Sequence, residues 1–260
     1  MKLRAEGRLL RVGHKGAAAL EPENTLRSLR RAVDLGCDLV EFDVLDLHDG
    51  TLVLAHSDDL LEVSHGAAQG GVRRLRLEAL RELAPELPTF EEALELLSPM
   101  GGVGLHVDLK WHGYEAPVAE AIRRHGLVER TVVSSCHSSS LRELAVLEPA
   151  LQRGFTYPFD RSGLARHRLV APVTAAALVG IRRALPSRIA RMLGRARATA
   201  AILHHWVVSR AAVERAHGCG AAVFAWTVDD EADLQRVVDA GVDGVITNDP
   251  RIFAGVHPLG

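Results

Sequence analysis

Short apolar runs alternate with amphipathic stretches along most of the chain. Runs such as LLRVGH, DLVEFDV and GLHVDLKW are rich in branched apolar residues, as buried strands are. The stretch ENTLRSLRRAVDLG instead places Leu26, Leu29, Ala32 and Val33 on one helical face, and Gly36 marks its end. The pattern therefore predicts strands and helices in alternation.

The alternation continues to the end of the chain. We predict further helices in PTFEEALELLS, YEAPVAEAIRRHG, SSLRELAVLEP, SRAAVERAHGCG and DEADLQRVVDAG, and further strands in TVVSSCH, QRGFTYP, AAILHH, AVFAWTV and DGVITNDP. Thr89, with Glu92 three residues later, predicts a capping box at the start of a helix. The turn sequence HDG before TLVLAH predicts a hairpin with DLVEFDV.

This order of elements predicts an α/β fold with a parallel sheet covered by helices. About eight such units in 260 residues match the size of a (β/α)₈ TIM barrel. An open doubly wound sheet is the alternative, but it normally carries a glycine-rich phosphate loop, and GHKG is too short for one. We expect a single barrel domain over residues 1–260, with a small insertion after the second strand at about residues 57–88.

The amino-acid composition bears on which binding partners and which cellular compartment we expect for the protein. The 31 Lys and Arg nearly balance the 33 Asp and Glu, and the resulting net charge of −2 does not favour binding to nucleic acid. Cys37, Cys136 and Cys219 are too few and too far apart for a disulfide framework, which favours a reducing compartment. No signal-peptide core and no run of about twenty apolar residues is present, so we expect a cytoplasmic protein without a transmembrane segment.

Polar residues and one tryptophan fall near the predicted C-terminal ends of strands, where barrels of this class carry their catalytic groups. Glu41 and Asp43 lie two apart in one strand, so both side chains point to the same face. Unpaired acids are costly inside an otherwise apolar strand, which favours a functional role over a packing role. The full set is His14, Glu41, Asp43, His56, Asp108, Lys110 and Trp226.

These residue types together predict a phosphodiester-cleaving site. Three carboxylates at one barrel mouth repel each other unless a cation lies among them, and hard oxygen ligands suit Mg²⁺ or Ca²⁺. Two histidines suit proton transfer in both directions, and Lys15 and Lys110 suit anionic oxygens of a small-molecule substrate. The alternative for Asp108 and Lys110 is a plain ion pair inside the barrel.

The order and spacing of the motifs resemble the glycerophosphodiester phosphodiesterase family over nearly the whole chain. The resemblance is poor only between about residues 160 and 200. The matching segments are His14-Lys15-Gly16, Pro22-Glu23-Asn24-Thr25, Gly36-Cys37-Asp38, Glu41-Phe42-Asp43-Val44, Asp49-Gly50, His56-Ser57, Asp108-Leu109-Lys110, Trp226-Thr227-Val228 and Gly241 to Pro250.

The resemblance implies a TIM barrel that hydrolyses glycerophosphodiesters to sn-glycerol 3-phosphate and an alcohol with the help of a divalent cation, Mg²⁺ or Ca²⁺. It also implies a role for each matching residue. His14 and His56 would be the acid and base, Glu41, Asp43 and Asp108 would hold the metal, Lys15 and Lys110 would hold phosphate oxygens, Trp226 would wall the alcohol side, and Glu23 and Asn24 would support the site.

The chain departs from the family pattern at positions that bear on metal affinity and substrate choice. Lys15 replaces an Arg, so a planar fork becomes a point charge. Asp108 replaces a Glu and is one methylene shorter, and Ser57 replaces the Asp beside His56. The segment LEVSHG replaces a stretch usually rich in Arg and Thr.

The segment from Arg161 to Val213 contains ten arginines and no Asp or Glu. It could form an amphipathic helix pair that rests on anionic lipid, a cap over the barrel mouth, or a solvated basic face. Two rival functions stay open, the first because of this basic segment and the second because of Ser57 and Asp108. One is a lysophospholipase D type enzyme that acts at a membrane surface through peripheral contact, and the other is a noncatalytic phosphodiester-binding barrel.

Overall fold

Eight parallel strands close into a barrel in the computed structural model, which describes residues 1–4, 7–64, 66–158 and 171–255. Closure is shown by the first strand, which pairs with both the second and the last strand. The predicted (β/α)₈ TIM barrel is therefore confirmed. The barrel strands are β1 (Leu10–Gly13), β2 (Leu39–Asp46), β4 (Gly104–Leu109), β5 (Thr131–Ser135), β6 (Gln152–Tyr157), β7 (Ala200–His204), β8 (Ala222–Trp226) and β9 (Gly244–Thr247); the short β3 (Leu52–Leu54) is antiparallel to β2.

Helices lie between the strands, as the apolar periodicity predicts. The Thr89 and Glu92 capping box forms, and Thr25 caps the first helix. None of the helices in the described ranges is both long enough and apolar enough to cross a bilayer. They are α1 (Leu26–Asp34), α2 (Leu60–Val63), α3 (Leu77–Leu83), α4 (Phe90–Leu97), α5 (Glu115–Arg124), α6 (Ser138–Leu147), α7 (Ala171–Ala196), α8 (Arg210–His217) and α9 (Glu231–Asp239), with short 3₁₀ turns at Val72–Arg74, Val128–Arg130, His205–Val207 and Pro250–Gly255.

The segment after the β2–β3 hairpin contains the short helices α2 and α3. It is held to the barrel by a small apolar cluster of its own, in which Leu60, Val72 and Leu80 pack against Leu45 and Val53 of the hairpin. The expected hairpin is confirmed. The strand expected in TLVLAH is shorter than expected, because the chain leaves the sheet after Leu54 and enters this segment.

Residues 171–196 of the arginine-rich segment form one long helix, α7, while residues 161–170 lie outside the described residues and the rest of the segment contains β7 and the start of α8. Of the three alternatives considered for this segment, a helix pair is not observed over residues 171–196. Leu185, Ile189 and Leu193 are buried in the cluster that also contains residues of α8 and β8. Arginines of the other face are exposed, which fits a solvated basic face: Arg183, Arg188, Arg191 and Arg195.

The barrel interior changes from apolar to polar along its axis. Val12, Leu39, Val132 and Phe224 belong to one buried apolar cluster that fills the lower part of the barrel. Polar side chains replace them toward the C-terminal ends of the strands. The apolar layers form a packed floor beneath the polar groups, and this floor limits the entry of water from below.

The turn after β1 passes very close to α1. The Gly16 amide donates to the carbonyl of Glu41 at 3.0 Å, and the amide of Ala17 donates to the Ser28 hydroxyl at 2.9 Å. Gly16 has φ +85°, and a Cβ at this position would lie 2.4 Å from backbone and side-chain atoms of Ser28. Glycine is therefore required by both backbone conformation and space.

We expect Gly16→Ala to lower the free energy of unfolding by about 3 kcal/mol or more, because strain in the left-handed region adds to a steric clash with backbone. Gly50→Ala is the matched control. Gly50 has φ +83°, but nothing lies within 4 Å of the position that a Cβ would take there. Gly50→Ala should therefore lower the free energy of unfolding by only about 1 kcal/mol. Urea unfolding curves measure both, and equal losses would contradict the close-approach argument.

Candidate active site

His14 follows β1, and side chains from the β9 end orient its ring. Nδ1 lies 2.7 Å from Asn248 Oδ1, and the Asn248 amide nitrogen donates to Asp229 Oδ2 at 2.7 Å. Because a carboxylate only accepts, the amide oxygen faces His14, so Nδ1 carries the hydrogen and Nε2 keeps its lone pair. Burial is the main reason that the pKa of His14 is lowered to about 4. Its Nε2, 3.9 Å from Glu41 Oε2, is therefore an unprotonated acceptor at neutral pH.

Lys15 contributes both its backbone and its side chain to the acidic part of the site. Its amide donates to Glu41 Oε2 at 2.7 Å. Its Nζ donates to the two carboxylate oxygens of Glu23 at 2.9 and 3.0 Å and lies 4.0 Å from Asp43 Oδ2. The ammonium is thus held by Glu23 on one side while it faces Asp43 on the other.

Glu41, Asp43 and Asp108 converge, with one oxygen of each lying within 4.8 Å of the others. The parallel register makes Asp43 and Asp108 direct neighbours on β2 and β4, so the shorter acid still reaches the cluster. Asn24 fixes Asp43 from two directions: its amide nitrogen donates to Asp43 Oδ2 at 2.9 Å, and its oxygen accepts from the Asp43 amide at 3.0 Å. The cluster offers the hard oxygen donors that Mg²⁺ and Ca²⁺ prefer.

Lys110 is the closest positive charge to this cluster among the described residues. Its Nζ lies 2.6 Å from Asp43 Oδ1 and 2.6 Å from Asp108 Oδ2. Burial works against its charge, but Asp108, Asp43 and Glu41 together raise the pKa of Lys110 well above its ordinary value. The ion pair considered from the sequence for Asp108 and Lys110 is observed, and Asp43 is a further partner.

The acids of the cluster differ in their protonation. Burial works against ionised Asp43, but the charges of Lys110, His56 and Lys15 hold the pKa of Asp43 below its usual range. Burial, with the neighbouring Asp43 carboxylate, raises the pKa of Glu41 well above its ordinary value. Glu41 therefore tends to keep its proton unless further positive charge enters the cluster, as expected of a site for a divalent cation.

Asp108 is held by a chain of hydrogen bonds that the sequence did not reveal. The Ser134 hydroxyl donates to Asp108 Oδ1, and His106 Nε2 lies 2.8 Å from Ser134 Oγ. The single hydroxyl hydrogen is used on Asp108, so His106 must donate through Nε2. Burial lowers the pKa of His106 to about 4, which keeps its ring neutral. His106 is two residues before Asp108 on the same strand face, which was a usable signal, whereas Ser134 is a neighbour only through the register of β4 and β5.

His56 is brought back toward the cluster by the antiparallel hairpin, in which Leu54 pairs with Val44. Its side chain is 30% exposed, and Nδ1 lies 3.1 Å from Glu62 Oε1. The hairpin thus brings His56 to the strand that carries Glu41 and Asp43, while His14 Nε2 lies 3.9 Å from Glu41 Oε2.

Trp226 ends β8 on another part of the rim. Its indole nitrogen donates to the carbonyl of Ile202 at 3.2 Å, and its ring stands nearly perpendicular to His204 at 5.2 Å. Burial lowers the pKa of His204 to about 4. His205 instead pairs with Asp233 at 2.8 Å. Of the two adjacent histidines in AAILHH, His204 is the one that lies beside a predicted site residue.

The structure joins most of the predicted site residues through direct contacts. His56 lies beside this group, held by Glu62, and Trp226 is at the same end of the barrel with contacts to β7. The directly joined residues are His14, Lys15, Glu23, Asn24, Glu41, Asp43, Asp108 and Lys110. The arrangement can bind a cation and an anionic group and can move protons at two imidazoles.

Comparison with known proteins gives consistent matches over nearly the whole chain. The sequence model of the Glycerophosphoryl diester phosphodiesterase family matches residues 14–252. The glycerophosphodiester phosphodiesterase of Caldanaerobacter subterraneus subsp. tengcongensis is 29% identical over 259 residues, which is 92% of this chain and 94% of that protein. The match therefore includes both ends of the candidate site.

Solved structures show the same fold. A putative glycerophosphoryl diester phosphodiesterase from Silicibacter pomeroyi superimposes with a TM-score of 0.78 at 24% identity, covering 97% of this chain and 95% of the other. An Oleispira antarctica phosphodiesterase, solved in complex with the product sn-glycerol-3-phosphate, gives a TM-score of 0.73 at 24% identity and covers 94% and 95% of the two chains.

We expect Lys110→Met to lower the free energy of unfolding by about 3 kcal/mol when divalent cations are absent, because two neighbouring carboxylates lose their shared ammonium. Adding Mg²⁺ or Ca²⁺ should restore part of this loss if the cation enters the cluster. Urea unfolding with EDTA, and then with each cation, measures both effects.

Lys2→Met serves as the control for Lys110→Met, since Lys2 is exposed and should change the same quantity by less than about 0.5 kcal/mol. A loss below about 1 kcal/mol for Lys110→Met would show that the ion pairs do not hold the cluster together.

Proposed function

We propose that this chain, which belongs to the glycerophosphoryl diester phosphodiesterase family, hydrolyses glycerophosphodiesters to sn-glycerol 3-phosphate and an alcohol. Membership makes it a phosphoric diester hydrolase and favours catalysis over a noncatalytic phosphodiester-binding barrel. The substrate and product follow from the names of its relatives, one of which was solved with sn-glycerol-3-phosphate.

One observation carries the proposal: Glu41, Asp43 and Asp108 each bring one carboxylate oxygen within 4.8 Å of the others, and His14 Nε2 lies 3.9 Å from Glu41 Oε2. A phosphodiester needs one group to take a proton from the attacking oxygen and another to give a proton to the leaving alcohol. Neutralisation of the charge that develops on the phosphate is the third requirement. The site contains candidates for all three.

The residues that would hold a divalent cation are Glu41, Asp43 and Asp108. One oxygen of each lies within 4.8 Å of the others, and burial beside the Asp43 carboxylate raises the pKa of Glu41, whose ionised form a cation would stabilise. When bound, Mg²⁺ or Ca²⁺ would withdraw negative charge from a nonbridging phosphate oxygen. Asn24 would keep Asp43 in place, and Ser134 would do so for Asp108.

His14 is our candidate for the general base. Its neutral ring presents an unprotonated Nε2, and Asn248 holds the hydrogen on Nδ1, so the acceptor atom is fixed. His56, which is more accessible to solvent, would then protonate the oxygen of the leaving alcohol. This division of roles rests on the different surroundings of the two rings.

The remaining predicted residues would bind the substrate. Lys15 and Lys110 would attract the nonbridging phosphate oxygens, each as a point charge that an acid already holds in position. Trp226 would form a wall for the alcohol portion, since its ring is fixed at the rim by the Ile202 carbonyl and by His204.

A lysophospholipid substrate is the second candidate. One observation favours it: a pocket is lined by the apolar side chains of Leu178, Val179 and Trp206 together with the charged side chains of Arg182, Asp233 and Arg236. Such a lining could receive an acyl chain. Release of choline from lysophosphatidylcholine at a higher kcat/KM than from glycerophosphocholine would select this candidate. Co-sedimentation with anionic liposomes, lost when Arg182, Arg183, Arg188 and Arg191 are neutralised, would add membrane contact.

Removal of divalent cations should abolish activity. We expect EDTA to lower product release from glycerophosphocholine and glycerophosphoethanolamine by at least about 100-fold, and Mg²⁺ or Ca²⁺ in excess to restore it, because the negatively charged carboxylate cluster cannot neutralise the phosphate without a bound cation. A chromatographic assay of sn-glycerol 3-phosphate measures the effect. Full activity in EDTA after extensive dialysis would contradict metal dependence.

His14→Ala should lower kcat by about 100-fold to 10,000-fold, since the proton acceptor for the attacking oxygen is removed. The matched control is His48→Ala, because His48 is exposed in the β2–β3 turn. Steady-state kinetics with glycerophosphocholine measures both variants. The proposed mechanism is wrong if His14→Ala and the control retain the same kcat.

A further inference from the structure

His56 is in contact with a carboxylate that belongs to the segment after the β2–β3 hairpin. Glu62 Oε1 lies 3.1 Å from His56 Nδ1, and Glu62 Oε2 accepts a hydrogen bond from the Ser57 hydroxyl at 3.0 Å. Each oxygen of this carboxylate therefore faces a different side chain. His56 and Ser57 are consecutive, so the contacts of Glu62 orient both residues of the short connection that follows β3.

The hydrogen bonding fixes which nitrogen of His56 carries a proton. An ionised carboxylate can only accept, so the hydrogen between His56 and Glu62 must be on Nδ1 of the ring. This leaves Nε2 as the nitrogen for proton exchange with substrate. A carboxylate placed at Nδ1 is the arrangement by which hydrolases keep a catalytic imidazole in one tautomer and orientation.

The position of Glu62 is fixed by the backbone contacts of the helix that contains it. It lies in α2, whose first turn is capped by Asp59, which accepts from the Leu61 amide at 3.0 Å. Leu60, one of the buried residues of the apolar cluster beneath this segment, donates its amide to the carbonyl of Gly70 at 2.9 Å. The segment after the β2–β3 hairpin therefore holds the Glu62 carboxylate beside His56 from a backbone of fixed position.

The hydrogen bond between Ser57 and Glu62 also bears on a difference between this sequence and the family motif. Ser57 stands where the resembled motif has an Asp next to the histidine. A serine hydroxyl cannot supply a negative charge, but here it donates to Glu62 and so helps to hold a carboxylate that comes from further along the chain.

We infer that Glu62 is the positioning residue for His56, setting its tautomer and ring orientation so that Nε2 can exchange a proton with the substrate. Ser57 supports Glu62 in this task. The inference rests on the proposed function, because it assumes that His56 takes part in proton transfer. Glu62 acts through His56 and needs no contact with the substrate.

The test is Glu62→Gln, which keeps the size of the side chain and allows its amide to donate to Nδ1. We expect kcat for glycerophosphocholine to fall by at least about 100-fold with little change in KM, because the hydrogen of the neutral His56 ring moves from Nδ1 to Nε2 and no carboxylate remains to stabilise the doubly protonated ring from which Nε2 gives a proton to the leaving alcohol. Long-range ¹H–¹⁵N NMR correlations of the imidazole should show this change of tautomer in the folded protein. Ser57→Ala should give a smaller loss of about 3-fold to 10-fold, as expected for one lost supporting hydrogen bond.

Glu82→Gln is the matched control, since Glu82 is exposed in α3 and should leave both kcat and the His56 signals unchanged. The inference is overturned if Glu62→Gln keeps the wild-type kcat, or if His56 keeps its hydrogen on Nδ1 in that variant. The variant His56→Asn distinguishes a failure of the inference about Glu62 from a failure of the proposed function. If His56→Asn retains full activity, the assigned role of His56 is wrong; if it is inactive while Glu62→Gln is fully active, only the inference fails.

Discussion

The site depends on the balance of buried charge at one end of the barrel. Glu41, Asp43 and Asp108 each place one oxygen within 4.8 Å of the others, and Glu41 and Asp43 are buried. Ionised groups in such a place are stable only when positive charge or hydrogen-bond donors compensate them. Lys110 provides part of that compensation by direct contact with Asp43 and Asp108, while burial beside the Asp43 carboxylate raises the pKa of Glu41. A cluster of this kind is suited to binding a divalent cation together with its anionic substrate.

The backbone sets the geometry within which this balance operates. The parallel register makes Asp43, Asp108 and Ser134 lateral neighbours on three successive barrel strands. The tight turn at Gly16 lets the Lys15 amide reach Glu41 and lets the Lys15 side chain face Glu23 and Asp43. Apolar packing in the lower half of the barrel supports these polar groups from below, so their positions are fixed by elements that take no part in chemistry.

The two histidines differ because their surroundings differ. His14 is less exposed than His56, contacts an amide and stays neutral, whereas His56 faces a carboxylate. Two positions where the chain departs from the resembled family pattern contact residues of other elements. Asp108 accepts a hydrogen bond from the Ser134 hydroxyl of β5, and the Ser57 hydroxyl donates to Glu62 of α2.

The barrel could be predicted from the amino-acid sequence, because strand and helix periodicities are local properties that each segment displays alone. The same patterns placed His14, Glu41, Asp43 and Asp108 near strand ends, where barrel topology brings them together. The contacts of Ser134 with Asp108 and of Asn248 with His14, the latter across 234 positions of the chain, could not be predicted, since strand register and barrel closure leave no local signal. The same reason explains why α7 was not distinguished from a helix pair: helical periodicity records which face is buried, and not where the backbone turns.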